Sequence, residues 1–271
     1  MASPPVETGQ RLPPYRVIAR NAATLSDNKI HSDEGARFHG FRGGLVPGIT
    51  TFGYMTRPVV ESLGLAWLDH GSASIRLQKP VYEGEEIEVL GHCTAASASG
   101  ITIELTLLGE GETKATGTAA LLFGSPPVIA LSAWPRRPLP IALKTASRPS
   151  LEDALALGSV DLRLDAGEPP MSDIDDAPPI FREAAIIHPA VLLGGANAIF
   201  AANVALGPWI HLSSEALLYG RAREADAISV RGRIDRLFEK KGRELVDLDV
   251  LVVANDERAV MRVKHTAMYR L

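Results

Sequence analysis

Between Ser26 and Gly48 the chain reads SDNKIHSDEGARFHGFRGGLVPG, and this stretch holds most of the residues whose type and spacing could do chemistry. Asp27 and His31, four apart, make a candidate acid-base pair, a carboxyl group and an imidazole able to share one water or one substrate proton. Ser26 and Asn28 add hydrogen-bonding side chains beside them. Pro47-Gly48 then opens an apolar run, and a Pro at the first helical position announces a helix whose leading amides can receive an anion or an oxyanion. Gly48 has no side chain to obstruct that approach. The same residues also carry a plainer reading: Asp27 and Asn28 as turn residues, His31 as a loop histidine ahead of the Ser32-Asp33-Glu34 helix start, and Gly43-Gly44 as a bend.

The elements that must position this stretch follow from periodicity and punctuation. YRVIARN (Tyr15 to Asn21) alternates like a strand, and Ile49 to Gly64 reads as a helix that Pro58 should kink or shorten. Four strands are expected at Ser72 to Tyr82, Glu85 to Thr94, Ile101 to Leu108 and Thr113 to Phe123, separated by Gly-containing turns. Residues 124–150 concentrate prolines and read as a stiff linker. Beyond it the order recurs, with a short strand at Ser159 to Leu164, a helix at Pro189 to Leu206, and strands near Leu212 to Arg221, Ala227 to Arg236, Glu244 to Ala254 and Ala259 to Arg270. Landmarks fall at a nearly constant offset: 189 − 47 = 142 for the helix-opening prolines, 209 − 67 = 142 for two tryptophans and 232 − 91 = 141 for two strand glycines. This pattern predicts a tandem duplication, with one α+β unit over residues 1–123, the linker over 124–150 and a second unit over 151–271. A long apolar helix followed by an antiparallel meander further suggests a sheet wrapped around the helix.

With NKIH followed by GFRGGLVPG and a helix, and the order strand, helix, four strands, the sequence resembles the MaoC-like acyl dehydratases and R-specific enoyl-CoA hydratases. Their motif has the form D-x-N-P-[IL]-H followed by a GF and a helix-opening Gly. The resemblance covers both halves as fold and only the first half as motif. It implies a double hot-dog chain, two repeats with their sheets joined side by side. The activity implied is hydration of a trans-2-enoyl thioester to the 3-hydroxyacyl form, or the reverse, by a catalytic trio of His31, Asp27 and the Gly48 amide as oxyanion donor. Ser26, Asn28, Arg42, Gly44 and Thr50 complete the implied substrate-binding set, and no cofactor is implied. The match is incomplete, because Lys29 stands where the family has Pro and Ser26 stands where it has the acid. Either Asp27 does the acid's work from one position later, or the carboxylate is absent. The offset positions in the second half, Pro169 and Asp173, carry no such pair, so the second repeat reads as degenerate, with His188 a structural histidine. An acyl-CoA thioesterase and a non-catalytic acyl-thioester binding protein remain alternatives.

Composition narrows the partners. The net charge is −4, with Lys and Arg scattered rather than striped, which argues against nucleic acid. A single cysteine, Cys93, forms no internal disulfide, and the first ten residues lack the character of a signal peptide, so a cytoplasmic location is expected. Residues 184–214 contain no charged side chain, yet Pro189, Pro208, Asn197, Asn203, His188 and His211 interrupt them, which favours a buried helix over a membrane span. No metal-ligand spacing, nucleophile elbow or phosphate loop occurs in the sequence. The expected partner is an acyl-CoA or acyl-carrier thioester, with a homodimer of double hot-dog chains left open.

Overall fold

The computed structural model describes residues 5–124, 127–162 and 177–271, and in these the expected order of elements appears twice. The first set comprises β1 (Tyr15–Ile18), a 3-10 turn (Lys29–His31), α1 (Asp33–Phe38), α2 (Gly48–His70), β2 (Gly71–Leu77), β3 (Glu86–Ser97), β4 (Gly100–Gly109) and β5 (Glu112–Leu122). A second 3-10 turn (Leu131–Ala133) lies in the Pro-rich stretch. Then come α3 (Arg148–Glu152), β6 (Ala156–Leu162), α4 (Pro179–Glu183), α5 (Pro189–Asn203), β7 (Ile210–Leu218), β8 (Ile228–Lys240), β9 (Arg243–Ala254) and β10 (Arg258–Arg270). The end of the strand expected at 159–164, and Pro169 and Asp173, lie outside the described residues.

The ten strands form one antiparallel sheet in the order β1-β3-β4-β5-β2-β7-β10-β9-β8-β6. Each second-repeat strand occupies the place of its first-repeat counterpart when the order is read from the opposite edge. Two copies of one unit therefore meet at a seam, where β2 pairs with β7 from Ser72↔Leu217 to Arg76↔Ser213. An ion pair between Arg221 and Asp69 at 2.7 Å also crosses between the repeats. This is the α+β double hot-dog arrangement, with an antiparallel sheet curling around a central helix in each half.

The helix α2 supplies the core of the first half, burying Phe52, Tyr54, Met55, Val59, Val60, Leu63 and Trp67. Each large apolar side chain removed from water contributes roughly 1.5–3 kcal/mol before the cost of ordering the chain. Sequence punctuation placed the end of this helix at Gly64 and its kink at Pro58. The break does fall at Gly64, with φ 57° and ψ −143°, a positive φ that favours glycine, while Pro58 stays at helical angles. A further helical segment follows the break to His70 and buries Trp67 and Leu68. The tryptophan landmark needs a similar correction. Trp67 is in the last turns of α2, whereas Trp209 lies in the segment entering β7, because α5 ends at Asn203.

The Pro-rich stretch is more than a spacer. Its Trp134 is buried on the outer face of the second-half sheet against Leu251 and Val253, with the Arg233 and Arg262 guanidinium groups 4.6 and 5.5 Å from its ring centroid. Leu248, Val250 and Val252 face the main core on the other side. Coverage on both faces explains why the end of β9, Val250 to Ala254, reads as an unbroken apolar run instead of an alternating one.

The seam is testable without disturbing side-chain packing, since Ser74 is exposed and pairs with Thr118 on one side and Glu215 on the other. Ser74→Pro removes a backbone donor from a central strand and should cost about 3 kcal/mol or more. Ser74→Ala should stay within about 0.5 kcal/mol of the parent in urea denaturation.

Candidate active site

Local hydrogen bonds fix the organising stretch one residue at a time. The Asn28 side chain accepts from Ile30 N at 3.4 Å, closing the 3-10 turn, and Ile30 is buried. The same amide reaches the second repeat, donating through Nδ2 to Trp209 O at 3.0 Å and accepting from Trp209 N at 3.2 Å. Ser32 caps α1 by accepting from Gly35 N at 3.2 Å. Asp33 accepts from Gly44 N at 2.9 Å and Leu45 N donates to Ile30 O at 3.1 Å, so the glycine joint folds back along the 3-10 turn.

That return places the Leu45 carbonyl 2.7 Å from Nδ1 of His31. A carbonyl only accepts, so Nδ1 carries the proton and the lone pair of the neutral ring is at Nε2. His31 lines a cavity of about 190 Å³ together with Asn28, Gly48 and Thr51 from the first repeat and Asn197, Trp209 and His211 from the second. Most of the remaining lining is apolar, including Ile30, Phe41, Val46, Leu77, Val81 and Leu212. The start of α2 forms part of the wall, and its N-cap residue, Pro47, provides no side-chain cap. Uncapped leading amides at the positive end of α2 favour a negatively polarised oxygen.

Gly48 is required there by space. A Cβ on residue 48 would overlap Nδ1 of His211 and the end of Leu77. The equivalent tip in the second repeat is closed. His188 caps α5, its Nδ1 accepting from Ala190 N at 3.0 Å, Pro189 has no N–H, and Phe181 packs on the imidazole at 4.3 Å between centroids.

Of the residues singled out by sequence, His31, Asn28 and Gly48 come together on the cavity. The others are placed elsewhere. Asp27 is exposed and outside the lining. Ser26 is a turn residue whose Oγ accepts from Asn28 N at 3.2 Å. Arg42 is ion-paired with Glu110 at 2.7 Å and lies over the Tyr82 ring at 4.1 Å. Gly44 supports the loop beneath His31, and Thr50 is buried in the first turn of α2 while its neighbour Thr51 faces the cavity. Asn28 itself is committed to the backbone of Trp209, which makes it a positioning group between repeats.

Sequence reasoning missed His211 and Asn197. Both lie in the charge-free stretch 184–214, where a polar side chain must find a partner or a function once buried. His211 Nε2 is 2.8 Å from Ser214 Oγ, which is 3.0 Å from Nδ1 of His265, and the two imidazoles stack at 4.2 Å. His211 Nδ1, His265 Nε2 and Asn197 Oδ1 are buried with no hydrogen-bond partner among the described residues. Burial pushes His211 down to about 4, with a Ser213 backbone group opposing, and His188 down to about 3, helped by the nearby Arg57. His265 is also held well below the usual range, by burial and by the adjacent His211. All three are neutral imidazoles at neutral pH. Among the described residues no cluster of three His, Cys, Asp or Glu could hold a metal, and no helix is long and apolar enough to cross a membrane.

Comparison with known proteins supports the architecture. No protein-family model and no curated protein matches the sequence. Among solved structures, a MaoC domain protein dehydratase from Chloroflexus aurantiacus is 11% identical with a TM-score of 0.63, over 98% of this chain and 96% of that one. A Mycobacterium tuberculosis protein described as having a double hotdog fold is 14% identical at 0.61, over 97% and 96%. The fold is the double hot-dog. An acyl-CoA thioesterase II from Mycobacterium marinum is 15% identical at 0.51, over 82% of this chain and 90% of that one, which adds to the same conclusion about fold.

Two outcomes follow from this geometry. Gly48→Ala should cost about 1–3 kcal/mol through overpacking against His211, read as a lower urea midpoint. In the unfolded chain His188, His211 and His265 titrate near 6.5. Their folded values lie below that, so the unfolded chain binds the extra protons as pH falls. Stability should therefore be flat above pH ~6.5 and fall below it, by up to ~1.4 kcal/mol per pH unit for each imidazole. His188→Asn, which keeps a capping acceptor and removes one titrating group, should make the loss between pH 6.5 and 4.5 shallower in urea titrations.

Proposed function

We propose that the chain is a hydro-lyase acting on an acyl thioester, removing water from a 3-hydroxyacyl group or adding it to a trans-2-enoyl group. The supporting observation is that His31, oriented by the Leu45 carbonyl, lines the same cavity as the uncapped Gly48 start of α2. The cavity volume suits a short acyl group, carried by CoA or by an acyl carrier. The dehydratase named in the fold comparison aligns with this chain over 96% of its own length, which agrees with this reading.

In the dehydration direction, Nε2 of His31 takes the proton from Cα. The C–H electron pair passes into an enolate, whose oxygen accepts a hydrogen bond from the Gly48 amide. The imidazolium then returns its proton to the C3 hydroxyl, which leaves as water while the enolate electrons form the double bond. Hydration is the reverse. One imidazole serving both transfers suits a syn course, in which the two departing groups share a face, and it leaves Asp27 with no step to perform.

A second reading, a binding protein without turnover, is favoured by one observation, that no Asp or Glu lines the cavity. The thioesterase reading gains no such support, because the two acids on α2, Glu61 and Asp69, are ion-paired at 2.7 Å with Arg57 and Arg221 respectively, and neither is in the lining.

With crotonyl-CoA, enzyme should bleach the conjugated enoyl-thioester absorbance, and His31→Ala should lower kcat by about 10²–10⁴-fold. Asp27→Asn should leave the rate unchanged. Thiol release with the double bond intact would replace the proposal with hydrolysis, and tight binding without bleaching would replace it with the binding reading.

A further inference from the structure

The second repeat contributes more than a wall to this cavity. His211 is buried, lies against Gly48, and holds an Nδ1 with no hydrogen-bond partner among the described residues. Its other nitrogen is held by Ser214, which in turn is held by His265. A hydroxyl between two imidazoles can donate to either one while accepting from the other, so the chain supports both neutral tautomers of His211. Such a network orients the ring and leaves its other nitrogen, which lies against Gly48 at the start of α2, to be set by whatever binds there. A buried, unsatisfied nitrogen costs free energy until a ligand pairs with it. Asn197 Oδ1, the second unpartnered atom on this cavity, comes from α5 of the same repeat.

We propose that His211 is a second oxyanion donor, a catalytic residue whose neutral imidazole donates Nδ1–H to the thioester carbonyl oxygen bound at the Gly48 amide. A carbonyl oxygen only accepts, so its arrival selects the Nδ1–H tautomer, with Ser214 donating to Nε2 and accepting from His265 Nδ1–H. The positive end of α2 and the surrounding apolar side chains disfavour an imidazolium at this place, and burial keeps the group neutral at working pH. A neutral imidazole polarises a carbonyl without competing for the proton that His31 moves. The inference rests on the thioester-binding part of the proposed function, while the lyase step itself can fail without it.

The experiment pairs two ligands that differ in one atom group: butyryl-CoA, which has the carbonyl oxygen, and S-butyl-CoA, the thioether that lacks it. By calorimetry the parent protein should bind butyryl-CoA roughly tenfold more tightly, and His211→Leu should erase that preference, with His211→Gln, which retains an N–H donor, restoring part of it. On crotonyl-CoA, loss of one such donor should lower kcat by about 10²–10³-fold with little change in KM. Should the leucine variant fail to fold, ¹⁵N-histidine NMR of the parent protein decides: the His211 Nδ1–H must be present in the butyryl-CoA complex and shift relative to the S-butyl-CoA complex. Turnover with an unchanged carbonyl preference in His211→Leu, or a bound state with the lone pair at Nδ1, overturns the role of His211 and leaves the lyase reading intact. A carbonyl preference lost with His211 but no turnover in any form upholds the role of His211 and ends the lyase reading. Binding of neither ligand by the parent protein overturns both.

Discussion

The pairing of β2 with β7 is the constraint from which the rest of the molecule follows. It turns two separate five-stranded sheets into one ten-stranded sheet, and it fixes the start of β7 opposite the start of α2. Had the repeats met through any other strands, Trp209 and His211 would lie far from the Ser26 to Gly48 stretch. Because they meet here, the Asn28 amide closes against the Trp209 backbone, and the cavity takes its walls from both halves.

Duplicated units then diverge at their helix tips. In the second half a histidine side chain, a proline lacking an N–H and a packed phenylalanine use up the helix start. In the first half the corresponding place has Pro47 with no side-chain cap and Gly48 with no Cβ. The difference between a closed tip and an open one rests on the residues at these two helix starts, and it accounts for the cavity at the start of α2 without any difference in topology. Local chemistry at a helix end thus does what a change of fold would otherwise have to do.

Much of this was legible in the sequence. Alternating runs bounded by Gly-containing turns set the strands to within a few residues, and the constant offset between prolines exposed the duplication. His31 and Gly48 were readable because their chemistry is local: a loop histidine, a helix start and the residues between them. Two kinds of feature were not readable. Pro58, expected to kink or shorten the helix, stays at helical angles within it, and helical angles resume beyond Gly64 where Trp67 and Leu68 are buried. The contribution of His211 was hidden because its distance from Gly48 is set by sheet pairing across 163 positions (211 − 48 = 163) of chain, which no spacing rule records. Asp27 is near His31 in sequence, yet its side chain is exposed and outside the cavity lining.

The sheet order has a consequence for how the molecule can be made. Strands β1 to β5 are contiguous in both chain and space, so the front half can assemble its five planks while the remainder is still being synthesised. The rear half repeats that order: β10, later in the chain than β7, β8 and β9, is inserted between β7 and β9, in the interior of the sheet and one place from the seam. Until residues 258–270 arrive, β7 has a neighbour on one side only and β9 presents an open edge that is apolar from Val250 to Ala254. Vectorial synthesis therefore leaves an adhesive edge uncovered until β10 emerges, a hazard that placing β10 at the margin of the sheet would not create.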